Sequence, residues 1–76
     1  MTEEEVKRRL DEAYPNSDVR VLDMTGAGSN FQVAVVSEAF TGLTRVKSHQ
    51  NIMALFDQEL KSGEIHALAI QTKAPQ

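Results

Sequence analysis

The sequence contains no cysteine, and this absence excludes several kinds of chemistry at once. Without thiols, the 76-residue chain can form no disulfide, no thiolate nucleophile and no metal site built on cysteine ligands. A small domain without disulfides is typical of a reducing compartment. We therefore expect a cytoplasmic protein.

Long hydrophobic runs are also missing. No apolar stretch approaches the roughly 20 residues that a membrane-spanning helix requires, and no apolar segment follows Met1 as in a secretory signal. The formal net charge of −3 argues against general, charge-driven binding of nucleic acid, because such binding requires Lys and Arg to neutralise phosphates. The sequence thus predicts neither a membrane protein nor a broadly basic one.

The composition is that of an ordinary folded domain. Hydrophobic residues make up 41% of the chain and charged residues 25%. A chain this short leaves little room for a deep, enclosed pocket beside its core. No spacing pairs a nucleophile with either of the two histidines. We expect residues 1–76 to form a single domain that binds partners and is not an enzyme.

The first 14 residues have the pattern of a capped helix. Thr2 and Glu5 form a capping box, and Val6 and Leu10 recur at helical spacing. A proline then ends the helix near Tyr14. Acidic residues precede basic ones by four positions, which favours stabilising ion pairs. The expected pairs are Glu3–Lys7, Glu4–Arg8 and Glu5–Arg9.

Three segments have the residue pattern that is typical of β-strands. We predict strands from Val19 to Met24, from Phe31 to Ser37 and from Ile65 to Thr72. The small residues at 25–30 predict a flexible turn, which makes the first two strands an antiparallel hairpin. The tail at 74–76 is expected to fray.

Between the second and third strands the spacing predicts one long helix, from Arg45 to Ser62. Thr44 is the expected N-cap and Gly63 the C-terminal stop, while Phe40 fills the core from the preceding connector. The apolar residues of this helix predict a buried stripe. Its members are Val46, Met53, Phe56 and Leu60, widened by Ile52 and Leu55.

The order helix, strand, strand, helix, strand predicts an α+β fold. A helix joins the second and third strands, so they can run parallel through a right-handed crossover. The expected architecture is a three-stranded mixed sheet with helices on one face.

His66 opens the third predicted strand and shares a face with Leu68 and Ile70. One interpretation is a partly buried, hydrogen-bonded core histidine. The other is a metal ligand at the edge of the domain. The sequence pattern alone leaves both open.

His49 lies near the start of the long helix, close to Arg45 and Lys47. These residues either form a solvated helix start or contact nucleic acid or an acidic partner.

Three blocks of the sequence resemble the BolA family, and within it the IbaG-like (YrbA-like) branch. They are Gly28-Ser29-Asn30-Phe31-Gln32-Val33, Phe40-Thr41-Gly42-Leu43-Thr44-Arg45-Val46-Lys47 and Ile65-His66-Ala67-Leu68-Ala69-Ile70. The spacing between the blocks agrees as well. With the N-terminal helix and the first strand in place, the resemblance covers almost the whole chain.

The resemblance implies a fold similar to the class II KH domain. It also implies a partner of monothiol glutaredoxins of the Cys-Gly-Phe-Ser type, acting in [2Fe–2S] cluster assembly, trafficking or iron sensing. In such heterodimers the glutaredoxin cysteine and a glutathione supply thiolates, and the BolA-like partner contributes a histidine near the start of its last strand. His66 has that position. Relatives also self-associate, and an exposed sheet face or edge would permit a homodimer.

The chain departs from the family pattern before its second strand. Close IbaG-like relatives have His at the position of Asn30, and no residue from 25 to 30 is Cys or His. Either the partner and glutathione provide more ligands, or the cluster is held weakly, or the pairing is mainly independent of a cluster.

A second function is suggested by the KH-like fold and by some BolA relatives, namely that of a nucleic-acid-binding transcriptional regulator. KH domains grip nucleic acid with a Gly-x-x-Gly loop, whereas this chain has Gly42 alone at the corresponding turn. The contacts would then be Arg45, Lys47 and His49.

Overall fold

The computed structural model describes residues 1–75 and contains three α-helices and three strands within them. The helices are α1 (Glu3–Ala13), α2 (Arg45–Leu55) and α3 (Asp57–Ser62); the strands are β1 (Asp18–Asp23), β2 (Asn30–Val36) and β3 (Ala67–Lys73). A short 3₁₀ turn, Glu38–Phe40, follows β2. Gln76, the last residue of the tail predicted to fray, lies outside the described residues.

The sheet has the order β1-β2-β3. β1 pairs with β2 antiparallel, with Val21 opposite Val33, and β2 pairs with β3 parallel, with Val33 opposite Ile70. This arrangement confirms the predicted α+β fold with a mixed three-stranded sheet.

The core lies on one face of the sheet. Alternate residues of β2 are fully buried there because successive strand side chains point to opposite faces. Buried residues of α1 and α2 complete the same cluster, so these helices pack on that face as predicted. The cluster consists of Val6, Leu10, Val19, Phe31, Val33, Val35, Phe40, Ile52, Phe56 and Ile65.

The N-terminus of α1 is capped as the sequence predicts. Thr2 Oγ1 accepts a hydrogen bond from the Glu5 N–H at 3.1 Å, and Glu5 Oε1 accepts one from the Thr2 N–H at 3.2 Å. In contrast, the predicted pairs Glu3–Lys7, Glu4–Arg8 and Glu5–Arg9 are wrong for residues 1–75. Lys7 pairs with Asp11 at 2.8 Å, because the acidic side chains of the first turn have other roles. Glu5 closes the cap, and Glu3 reaches β1.

The long helix predicted from Arg45 to Ser62 is also wrong, because it is interrupted at Phe56. This residue has φ −116° and ψ 21°, outside the helical region, and separates α2 from α3. Its ring is fully buried, and the guanidinium of Arg9 stacks over it at 5.1 Å from the ring centre. We attribute the break to this burial, since the backbone turns to place the ring in the core.

The predicted stripe is only partly correct, because Ile52 and Phe56 are buried as predicted but two other members are not. Ser48 and Ile52 are buried, whereas Val46 is 67% exposed and Met53 is 45% exposed. The helix is therefore rotated so that a small polar residue faces the sheet.

Candidate functional site

His66 lies immediately before β3, in the segment that joins α3 to the sheet. The strand begins at Ala67 rather than at Ile65, so His66 does not share the core-facing side with Leu68 and Ile70. Its side chain is exposed to solvent. The interpretation as a partly buried core histidine is therefore wrong.

The backbone on both sides of this side chain is held firmly. Ile65 is 1% exposed, and its N–H donates to the carbonyl of Glu59 at 3.0 Å. The N–H of His66 donates to the carbonyl of Ser29 at 2.7 Å. A buried neighbour and two backbone hydrogen bonds thus fix the position of His66 while leaving its imidazole accessible.

Glu59, whose carbonyl accepts from the N–H of Ile65, is itself bonded to a residue of α1. Arg9 Nη1 donates to Glu59 Oε1 at 2.6 Å and to the carbonyl of Leu55 at 2.9 Å. The hydrogen bond from Arg9 lowers the pKa of Glu59. The ion pair therefore anchors α3, whose Glu59 carbonyl in turn holds the N–H of Ile65.

The carbonyl of Ser29 belongs to the loop that the sequence predicted as a turn, and this loop is held by side-chain hydrogen bonds. Asp23 accepts three backbone hydrogen bonds across this loop. Oδ1 accepts from Thr25 at 3.3 Å and from Gly26 at 2.9 Å, and Oδ2 accepts from Gly28 at 2.9 Å. The sequence interpretation missed Asp23, although an aspartate at the start of a glycine-containing turn is a known signal for such bonding.

The loop also contacts the first residue of the chain. The amino group of Met1 donates to the carbonyl of Gly28 at 3.0 Å and lies 3.3 Å from Glu64 Oε2. Gly28 has φ +75°, and a Cβ on it would collide with the Met1 carbonyl oxygen. Glycine is therefore required here both by backbone conformation and by space.

Potential metal ligands are scarce around His66. Within residues 1–75 no group of three or more His, Cys, Asp or Glu side chains could hold a metal ion. Asn30 is opposite Ala67 in the parallel register, and Ala67 directly follows His66. The donor set of this chain therefore fits one ligand of a shared site and does not fit a complete site.

The predicted nucleic-acid contacts lie elsewhere. Arg45 and His49 line a groove of about 480 Å³ with the carboxyl ends of β2 and β3, including Lys73. Lys47 is exposed but does not line it. His66 directly precedes β3 and Lys73 ends it, so the two residues are roughly 23 Å apart at the usual rise of a strand. The structure thus separates His66 from the basic residues, and nucleic-acid binding stays a prediction.

Comparison with known proteins gives consistent results. A family model described as "BolA-like protein" matches residues 7–76. Protein BOLA2 of Arabidopsis thaliana is 38% identical over 72 residues, which cover 93% of this chain and 75% of that protein. Acid stress protein IbaG of Escherichia coli K12 is 33% identical over 75 residues, covering 99% and 86%. BolA-like protein 1 of Homo sapiens is 44% identical over 50 residues, but these are only 36% of its length.

Solved structures agree with the fold. The BolA domain of SufE1 from Arabidopsis thaliana superposes with a TM-score of 0.85 at 32% identity, covering 96% of this chain and 91% of that one. BolA1 from the same organism gives a TM-score of 0.84 at 27% identity, covering 96% and 90%. Among residues 1–75, no helix has the length and apolar character needed to cross a membrane.

Proposed function

This chain belongs to the BolA-like protein family, and from this premise we propose that it is a partner of a monothiol glutaredoxin of the Cys-Gly-Phe-Ser type. In the complex it acts in the assembly, trafficking or sensing of [2Fe–2S] clusters, and His66 is its metal ligand. The observation that carries the proposal is an exposed imidazole on a backbone fixed at Ile65 and at Ser29.

The geometry supports a ligand that the chain offers to another protein. An imidazole can bind iron only if a nitrogen is accessible, and the exposed side chain of His66 meets this requirement. The fixed backbone restricts where the ring can go, which favours binding because less freedom is lost. Because residues 1–75 hold no group of three or more potential metal ligands, we assign the remaining ligands to the partner's cysteine and to glutathione.

An imidazole ligand has two chemical consequences. A neutral nitrogen donor in place of a thiolate makes a cluster less negative and raises its reduction potential, as in Rieske centres. An imidazole coordinates only in its neutral form, so acid should favour release of the cluster. Both properties suit a cluster that is passed on rather than kept.

The proposal is tested by replacing His66 with alanine. His49→Ala is the matched control, because it removes the other histidine of the chain, which lies on α2 in the groove at the carboxyl end of β3. Each variant is mixed with a purified monothiol glutaredoxin, glutathione, ferrous iron and sulfide. Cluster content is followed by visible absorbance and circular dichroism, and complex size by light scattering.

We expect His66→Ala to change the cluster spectrum and to weaken cluster retention at least tenfold, while His49→Ala behaves as wild type. Asn30→His should strengthen retention, because position 30 is paired with Ala67, the residue that follows His66. An unchanged spectrum in His66→Ala would refute the ligand role. Failure of the wild-type chain to form a complex, with or without iron, would refute the partnership itself.

A further inference from the structure

The groove at the carboxyl ends of β2 and β3 collects positive charge without any negative charge. Its volume is about 480 Å³, and its lining contains Arg45, His49 and Lys73 but no acidic residue. The chain as a whole has a formal net charge of −3. The groove is therefore a local exception to the acidic balance of the chain.

The two permanent cations of the groove have no ionic partner within residues 1–75. Arg45 and Lys73 are both exposed. They take part in none of the salt bridges of this part of the chain, which belong to Met1, Lys7, Arg9, Arg20 and Lys61. Cations that share a groove without a counterion repel each other, so an anion placed between them is attracted by both.

The rest of the lining combines neutral hydrogen-bonding groups with apolar walls. Thr72 adds a hydroxyl and Gln71 an amide, and the half-buried His49 can donate from an imidazole nitrogen. A site with a few polar groups among apolar side chains is typical of those that bind small organic molecules. The apolar members are Ala34, Val35, Val36 and Ile70.

The size of the groove favours a small ligand over an extended polymer. Small-molecule sites usually measure roughly 300 to 1,000 Å³, and this groove is within that range. Nucleic acid instead requires a track of cations that neutralises successive phosphates. Lys47, the third residue predicted to contact nucleic acid, does not line the groove, whereas Lys73 and Thr72 do. The positive charges thus surround one cavity and do not follow the surface.

We propose that this groove binds a small organic anion through an oxyanion group, either a carboxylate or a phosphate. Arg45 and Lys73 hold this group, since a guanidinium donates two parallel hydrogen bonds to an oxyanion and an ammonium attracts it as a point charge. His49 and Thr72 add neutral donors. The apolar part of the ligand lies against the apolar wall at Ile70.

The groove is separate from the site proposed to bind the cluster. His66 precedes the first residue of β3, whereas the groove is at the carboxyl end of this strand and His66 does not line it. Anion binding therefore does not rest on the partnership with glutaredoxin, and either proposal can fail without the other. We expect His66→Ala to bind the anion as wild type does.

The experiment uses three probes that share an aromatic ring and differ in the attached group, namely phenyl phosphate, benzoate and benzyl alcohol. Each probe is titrated into the isotope-labelled chain at constant ionic strength, and the NMR chemical shifts of the backbone amides are followed. We expect saturable shifts at the residues that line the groove with at least one of the two anions, and none with the neutral alcohol. The Kd should be millimolar or lower, and the anion that binds more tightly distinguishes a phosphate site from a carboxylate site.

Substitutions of the two cations assign the binding to the groove. At the usual strength of exposed ion pairs, Arg45→Gln and Lys73→Gln should each raise the Kd of the preferred anion about 1.5- to 5-fold, and the double variant about 2- to 25-fold. Lys47→Gln is the matched control, because it removes the same charge from an exposed residue of α2 that does not line the groove. Circular dichroism checks that each variant is folded.

Three results would overturn the proposal. One is the absence of saturable shifts with both anions. Another is an equal increase in Kd for Lys47→Gln and Arg45→Gln, since binding then depends on the general charge of the surface. The third comes from a single-stranded oligonucleotide titrated in the same way. If it binds more tightly than either anion and depends on Lys47 as strongly as on Arg45, the surface binds nucleic acid and not a small anion.

Discussion

Replacing Asp23 with alanine should loosen the loop before β2 and destabilise the fold. The carboxylate holds Gly26 and Gly28 with bonds of 2.9 Å, and Thr25 with a longer one of 3.3 Å. Alanine leaves these three N–H groups to water. The same loop provides the Ser29 carbonyl that accepts from the His66 N–H. The effect should therefore reach the candidate site.

The magnitude follows from the number and exposure of these bonds. A hydrogen bond to a charged group contributes about 1.5 to 3 kcal/mol, and partial exposure places these at or below the lower end. Two short bonds and one long bond then give about 2 kcal/mol. A chain of this length has a free energy of unfolding of roughly 4 to 11 kcal/mol. The loss corresponds to a decrease in Tm of roughly 8 to 16 °C.

A comparison with Asp23→Asn sharpens the test. The amide keeps Oδ1 as an acceptor for Gly26 but replaces Oδ2 with an NH₂ group, which cannot accept from Gly28. Asp23→Asn should therefore lower the free energy of unfolding by about half as much as Asp23→Ala. In this variant the amide of Gly28 should exchange its hydrogen faster than the amide of Gly26. Urea unfolding at pH 7, followed by circular dichroism, gives the free energies. Ordinary surface substitutions change the free energy of unfolding by up to about 0.5 kcal/mol. If both variants stay within that range of wild type, the carboxylate does not organise the loop.

Two further predictions concern the helices. Arg9→Gln should destabilise the protein at pH 7, and the difference from wild type should shrink as pH falls below about 4.5, the ordinary pKa of Glu59. The sign follows because a lowered pKa in the folded state gives stability that is lost on protonation; a pH-independent difference in the free energy of unfolding would contradict it. Ile52→Ala should cost about 2 to 5 kcal/mol, and Met53→Ala less than about 1 kcal/mol. If the two variants lose the same free energy of unfolding in chemical denaturation, Met53 is buried in α2 as the sequence predicted.

The parts of the fold that could be predicted are those with local signals. The capping box at Thr2 and Glu5 is confirmed because both partners lie within one helical turn. The strand order followed from alternation and from the helical connection between β2 and β3, and the boundaries agree within two residues. Such features depend on neighbours in the sequence, so periodicity is enough to find them.

The parts that could not be predicted depend on distant contacts. The rotation of α2 is ambiguous from its sequence, because apolar residues occur on more than one side and the buried Ser48 gives no hydrophobic signal. The break at Phe56 depends on its burial in the core, and the Arg9–Glu59 pair joins residues 50 positions apart. No local pattern contains this information.

The candidate site, too, could be predicted only in part. His66 came from the family resemblance, whereas its exposure depends on a strand that begins two residues later than its alternation suggests. The strand starts late because Ile65 turns inward and bonds to Glu59, which is a property of the packed α3 and not of the strand sequence.

The fixed backbone around His66 bears on its proposed role as a ligand. A ligand on a mobile loop would lose backbone entropy of about 1 to 2 kcal/mol per residue ordered on binding. Here the backbone is already fixed, by Ile65 on one side and by the bond to Ser29 on the other, so mainly the freedom of the side chain is lost. The imidazole itself stays accessible to solvent. If the proposed ligand role is right, weakening the Asp23 loop, which carries the Ser29 carbonyl, should therefore reduce cluster retention in the complex with glutaredoxin.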